Sequence, residues 1–186
     1  MPEEKLMGPI GKFTTFEAIF ASLPRGWLWE QEARLLWNAS KVCSGPILEV
    51  GCHHGRSTCL LASHGRQVYC VDPFIGVPHN ENPDNEDGDL AYRSWKINTK
   101  HLDNVYVYKM KVEEWNPMRA GFCYLDGDHT FCGTVHQIEK ALDCRPEAIA
   151  IHDLERGSVS MATVFLGKYT EKAGNLGVWR EPRKRI

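Results

Sequence analysis

Short apolar runs alternating with helical stretches constrain this chain more than any other feature. Pro46–Val50, Gln67–Val71, Val105–Met110, Phe122–Leu125 and Ala148–Ile151 are each too short for a stable helix and rich in residues that favour strands. Between them, Ser57–His64 reads as a short helix, and Val135, Ile138 and Leu142 recur at helical spacing within Phe131–Leu142. This alternation predicts a parallel sheet covered by helices, a three-layer α/β sandwich. Two further helices are expected ahead of it, at 14–23 and 27–42, broken by Pro24 and Gly26. Trp29, Ala33, Leu36 and Val42 form the apolar stripe of the second. A helix over Val159–Tyr169 and a strand at Leu176–Arg180 close the series. The whole chain reads as one domain over 1–186, with N-terminal helices in 1–45 and the sheet core in 46–186.

Charge and cysteine usage exclude several classes. A net charge of −2 gives no electrostatic reason to bind nucleic acid. The basic cluster Arg180, Arg183, Lys184 and Arg185 reads as a solvated tail. No apolar run approaches the roughly 20 residues of a membrane span, so no membrane partner is expected. Met1–Lys12 lacks the apolar stretch of a secretory signal. Seven cysteines, without paired short spacings, point to free thiols in a reducing, cytoplasmic setting. Pro78–Asp89, with its prolines, asparagines and acids, is expected to be a loop near the ligand-binding edge of the sheet.

Chemistry concentrates at strand exits. After the first run, Glu49-Val50-Gly51-Cys52-His53-His54-Gly55-Arg56-Ser57 brackets three residues between two glycines and opens a helix, which Ser57 can cap. The spacing is not that of the dinucleotide fingerprint, and no lysine–serine pair makes a P-loop. The second strand ends in Asp72, placed to accept hydrogen bonds from ribose hydroxyls. The fourth ends in Asp126-Gly127-Asp128-His129 and the fifth in His152-Asp153. Adjacent strands would bring these groups together, where they could hold a divalent cation.

The glycine segment resembles the first motif of class I S-adenosylmethionine-dependent methyltransferases. A strand ending Asp126-Gly127-Asp128-His129, a helix and a strand ending His152-Asp153 resemble the type 24 methyltransferase domain family. That family includes macrocin O-methyltransferases and enzymes acting on sugars and antibiotics. The resemblance runs from about Pro46 to Asp153 and includes Asp72-Pro73-Phe74-Ile75-Gly76. It implies a Rossmann-like sandwich that binds S-adenosylmethionine and methylates a hydroxyl of a small-molecule acceptor.

By that resemblance Glu49, Gly51 and Gly55 match the first cofactor motif and Asp72 the ribose acid, with Asp126 beside the cofactor. Ser57 opens the helix there, His53 could face the methionine end or solvent, and Glu113 follows the third strand, where such a fold places residues around the adenine. Asp126, His152 and Asp153 would hold Mg2+ or another divalent cation, and Asp128 or His129 would be the general base. One departure stands out: His152 occupies a position where the family has a carboxylate, and an imidazole shifts preference toward transition metals. Other readings stay open. His152 could be a base or a packed side chain, and Trp115 could wall the adenine or pack in the core. Trp27-Leu28-Trp29 could wall an acceptor or form a homodimer surface. A metal-dependent hydrolase or hydroxylase would use the Asp126–Asp128–His129 and His152–Asp153 cluster and leave the glycine loop and Asp72 without work. A non-catalytic module would keep the cofactor site without turnover.

Overall fold

A computed structural model describes residues 15–75 and 88–182. Its elements in chain order are α1 (Phe16–Ser22), α2 (Glu30–Lys41), β1 (Ile47–Val50), α3 (Arg56–Ala62), β2 (Val68–Val71), α4 (Gly88–Thr99) and β3 (Val105–Tyr108). They continue with β4 (Phe122–Leu125), α5 (Phe131–Asp143), β5 (Ala148–Ile151), α6 (Gly157–Ala162), β6 (Glu171–Ala173) and β7 (Leu176–Arg180). The strands form one sheet in the order β3-β2-β1-β4-β5-β7-β6. β1 to β5 pair in parallel, and β7 is antiparallel to both β5 and β6. This is the expected Rossmann-like α/β sandwich with a mostly parallel sheet.

Strand alternation divides the core in two. Ile47, Val68, Cys70, Phe122, Tyr124, Ala148 and Ala150 pack toward α1–α4, with Leu36, Leu60, Leu61 and Trp95. Their neighbours Leu48, Val50, Cys123, Leu125, Ile149 and Ile151 pack toward α5 and α6, with Ile138, Ala141 and Val159. Small side chains at Ala148 and Ala150 face the layer that contains α2.

Several boundaries differ from expectation. The stripe of α2 is made by Glu32, Ala33, Leu36, Ala39 and Ser40, whereas Trp29 and Val42 are exposed at 69% and 67%. A buried acid replaces an expected tryptophan on that face. α4 was not expected at all: it begins at Gly88, so the last two residues of the anticipated 78–89 loop are helical. The rest of that loop, residues 1–14 and Arg183–Arg185 lie outside the described residues. The last expected helix shortens to α6 followed by a 3-10 turn, Thr163–Leu166. β6 and β7 then form an antiparallel pair at the sheet edge. Among the described residues no helix is long and apolar enough to cross a membrane.

Candidate active site

The chain winds outward from β1 in both directions, to β2 on one side and β4 on the other. Open α/β sheets bind ligands in the crevice above such a reversal. Here two loops touch: Asp126 N–H donates to Val50 O at 2.8 Å, and Gly51 N–H to Val71 O at 3.0 Å. A Cβ on Gly51 would lie 2.1 Å from the Asp126 carbonyl oxygen, and its φ of +83° favours glycine independently. The close approach therefore requires glycine. Gly55, φ +86°, is the N-cap of α3 and packs against Trp95 and Thr99 of α4. The unforeseen helix thus buttresses the glycine loop, with Trp95 Nε1–H donating to Thr58 Oγ1 at 3.3 Å.

Arg56 fastens the N-terminal helices to this loop. Its guanidinium donates to the carbonyls of Leu28 and Pro24 at 3.1 and 2.6 Å and lies over the Phe20 ring. Trp27, 60% exposed, then stands with its ring 5.0 Å from that of His53. The His53 backbone, φ +44°, donates its N–H to Asp72.

The predicted cofactor residues do not all face the crevice. Glu49 is fully buried, and its two oxygens accept from Ser57 Oγ and from Thr58 Oγ1 at 2.6 Å, with Cys70 Sγ–H at 3.3 Å. Ser57 therefore does not cap α3, which starts one residue earlier with Gly55 at its N-cap; the hydroxyl anchors the strand acid instead. Burial raises the Glu49 pKa to about 7 despite those three donors. Such a group is neutral in both states at low pH, and its ionisation disfavours the folded state as pH rises from about 4.5 through about 7. The stability of the native protein relative to Glu49→Gln should consequently fall by about 3 kcal/mol between pH 4.5 and 8. Parallel denaturation profiles for the two proteins across that range would refute the assignment.

Asp72 Oδ2 accepts from the amides of Cys52 and His53 at 2.7 and 3.0 Å, and Oδ1 from Phe74 N–H at 2.7 Å. A carboxylate offers about four lone-pair sites, so Asp72 shapes the loop and retains capacity for one more donor. Glu113 lies beyond β3 and pairs with His136 of α5 at 3.2 Å. Trp115 is 2% exposed and packs in the core. Cys52, Cys70 and Glu49 also gather within 4.8 Å, and burial pushes both thiols up, the Cys70 thiol to about 11.

The ionisable cluster does form at the exits of β4 and β5. His129 Nε2 lies 3.4 Å from Asp126 Oδ1 and 3.3 Å from Asp153 Oδ2. His152 Nδ1 lies 3.4 Å from Asp126 Oδ1 and 3.1 Å from Asp153 Oδ1. Tyr124 O–H donates to Asp126 Oδ2 at 2.8 Å, and Arg156 Nε–H to Asp153 Oδ2 at 2.9 Å. Burial alone would lift Asp126, but His152 and His129 outweigh it and hold its carboxyl well below the usual range. Burial likewise opposes charge on His152, yet Asp126 and Asp153 hold its pKa up at about 11. Burial also opposes charge on His129, whose pKa those same two acids nevertheless raise.

Two residues change standing here. Asp128 does not join the cluster: it is exposed, its Oδ1 accepts from Thr130 N–H at 2.8 Å, and its carboxylate lies over Gly133 in the first turn of α5. Glu32, unmarked by any motif, does join it. The Glu32 side chain is 1% exposed, and its Oε2 lies 3.2 Å from His152 Nε2. The only sequence signal was an acid on the apolar face of α2. Asp126, His152 and Asp153 bring ligand atoms within 4.8 Å of one another, a donor set of two carboxylates and one imidazole that fits a divalent cation.

No protein-family model matches the sequence, and no curated protein matches it. Solved structures do match in fold. Cofactor-bound Rv0187 from MTB superposes with a TM-score of 0.63 at 15% identity, over 89% of this chain and 88% of that one. The O-methyltransferase from Bacillus cereus in complex with SAH gives 0.60 at 16% identity, over 85% and 82%. The calicheamicin methyltransferase CalS11 gives 0.58 at 14% identity, over 80% and 76%. At these identities the likeness establishes the fold alone, a Rossmann-like α/β sandwich that this chain shares with those proteins.

Proposed function

We propose that this chain transfers the methyl group of S-adenosylmethionine to a hydroxyl of a small molecule of sugar, antibiotic or phenolic type. One observation carries the reading: the glycine loop of the cofactor motif touches the strand exit that bears Asp126, with His129, His152 and Asp153 beside it. A cofactor and an acceptor bound at those two loops would be neighbours. The resemblance to the type 24 methyltransferase domain family supports the same acceptor class.

In this account the glycine loop takes the methionine end and Asp72 uses its remaining lone pair on the ribose. The acceptor oxygen attacks the sulfonium methyl in line. An O–C bond forms, the S–C bond breaks, and S-adenosylhomocysteine leaves as a neutral thioether. The sulfonium is a good leaving group, so alignment and exclusion of water are the protein's main contributions, together worth about 7–11 kcal/mol. His129 Nε2 accepts the hydroxyl proton, and Asp126 and Asp153 stabilise the imidazolium that results. A divalent cation held by Asp126, His152 and Asp153 would lower the pKa of the hydroxyl.

Trp27 and Trp29, both exposed, fit an acceptor wall: Trp27 adjoins the glycine loop through His53, and Trp29 is the N-cap of α2, three residues before Glu32. Trp27→Ala should raise KM for the acceptor by about 10-fold, the loss of one aromatic stacking contact, with KM for the cofactor unchanged. An unchanged acceptor KM would remove that wall. The reading itself is tested with methyl-labelled cofactor and a panel of hydroxylated sugars and phenols. Label in the acceptor, stable to mild base as an ether is, supports it. Tight cofactor binding with no transfer to any hydroxyl acceptor would contradict it.

A further inference from the structure

The cluster is built in two layers. Asp126 turns one oxygen, Oδ2, to the Tyr124 hydroxyl at 2.8 Å, and Asp153 gives its Oδ2 to Arg156 at 2.9 Å. His152 Nε2 faces Glu32 Oε2 at 3.2 Å. Each group is thus held from behind, and three atoms remain turned on one another: Asp126 Oδ1, Asp153 Oδ1 and His152 Nδ1. Glu32 is itself fixed, accepting from Trp29 N–H at 3.0 Å and from Asn175 N–H at 2.9 Å. A buried carboxylate behind a histidine holds the proton on Nε2, so an ion entering between the two aspartates would displace only the proton on Nδ1.

The separations of those atoms and the imidazole among them bear on the occupant. A direct charge-assisted N–H···O bond would bring nitrogen and oxygen to about 2.7–2.9 Å. Observed separations are 3.1 and 3.4 Å. Ligands about 2.0–2.1 Å from a tetrahedral ion stand about 3.3 Å apart. Ligands at the same distance around octahedral Mg2+ stand about 2.9 Å apart, and that ion takes oxygen in preference to nitrogen.

We infer that Glu32 is a positioning residue that fixes His152 as an Nδ1 ligand, making Asp126–His152–Asp153 an open three-ligand site for a transition ion of the Zn2+ or Co2+ kind rather than Mg2+. His129 Nε2 lies beside it, 3.4 Å from Asp126 Oδ1 and 3.3 Å from Asp153 Oδ2. The inference rests on the methyl-transfer reading for what the ion does, but not for whether it binds.

The test uses the purified full chain. Co2+ is titrated while visible absorption is followed, then Zn2+ and Mg2+ are added as competitors, and S-adenosylmethionine affinity is measured in parallel. An intense tetrahedral cobalt band, displaced by micromolar Zn2+ and untouched by millimolar Mg2+, is expected. Glu32→Gln should weaken cobalt affinity about 10- to 100-fold with cofactor affinity unchanged. Because Glu32 also holds two backbone amides, His152→Asn provides a second variant, which should lose the tetrahedral band and still bind cofactor. Mg2+ competing at equal concentration, or cobalt affinity unchanged in Glu32→Gln, would overturn the inference. Cofactor binding with no ion binding overturns it and leaves the methyltransferase reading standing. Ion binding without cofactor binding does the reverse.

Discussion

Gly51→Ala is expected to abolish S-adenosylmethionine binding and to lower the melting temperature by about 4–20 °C. Two independent costs combine. A non-glycine residue at φ +83° pays about 1–2 kcal/mol of backbone strain, and a methyl 2.1 Å from a carbonyl oxygen must push two loops apart at a further cost of about 1–3 kcal/mol. Gly65 separates the two effects, since it has φ +71° but nothing within 4 Å of the added Cβ. Gly65→Ala should therefore show only the strain cost, a loss of about 1–2 kcal/mol in chemical denaturation, with cofactor affinity intact. Equal behaviour of the two variants would mean that the contact between the glycine loop and Asp126 does not shape the site.

His129→Gln should reduce kcat by about 10²- to 10⁴-fold while KM for the cofactor stays within a factor of two to three. The amide keeps a polar group of similar size near Asp126 and Asp153 but cannot take the acceptor's proton. Asp128→Asn is the informative contrast. Its carboxylate supports Thr130 and the first turn of α5, so stability should drop by about 0.5–1.5 kcal/mol with kcat nearly unchanged. Should Asp128→Asn instead suffer the larger loss of kcat, the base belongs to Asp128 and the apo geometry misassigns it.

The sheet was legible because its signal is local. Ile47–Val50, Phe122–Leu125 and Ala148–Ile151 are buried on both faces and carry almost only apolar side chains. α4 was missed because a polar run ahead of it masked the spacing of Ala91, Trp95 and Thr99, which does mark one helical face. β6 is too short and too polar to announce itself.

Within the site, strand exits could be read because an acid or histidine after an apolar run stands out. Partners could not, because they depend on tertiary geometry. Asp72 spends three of its lone pairs on the loop it was expected to face across a ligand. Ser57 reaches down to Glu49 rather than capping α3. Glu32 meets His152 across a separation of 120 residues, and no local pattern encodes that contact.

The methyl-transfer reading depends on the crevice above β1 and β4 accepting the cofactor. Calorimetric titration with S-adenosylmethionine and with S-adenosylhomocysteine tests that directly. Micromolar binding of both by the native protein, lost in Gly51→Ala and kept in Gly65→Ala, is the result predicted here. Absence of binding by the native protein, with or without divalent cations, would contradict the account and leave the Asp126–His152–Asp153 cluster to serve a different chemistry.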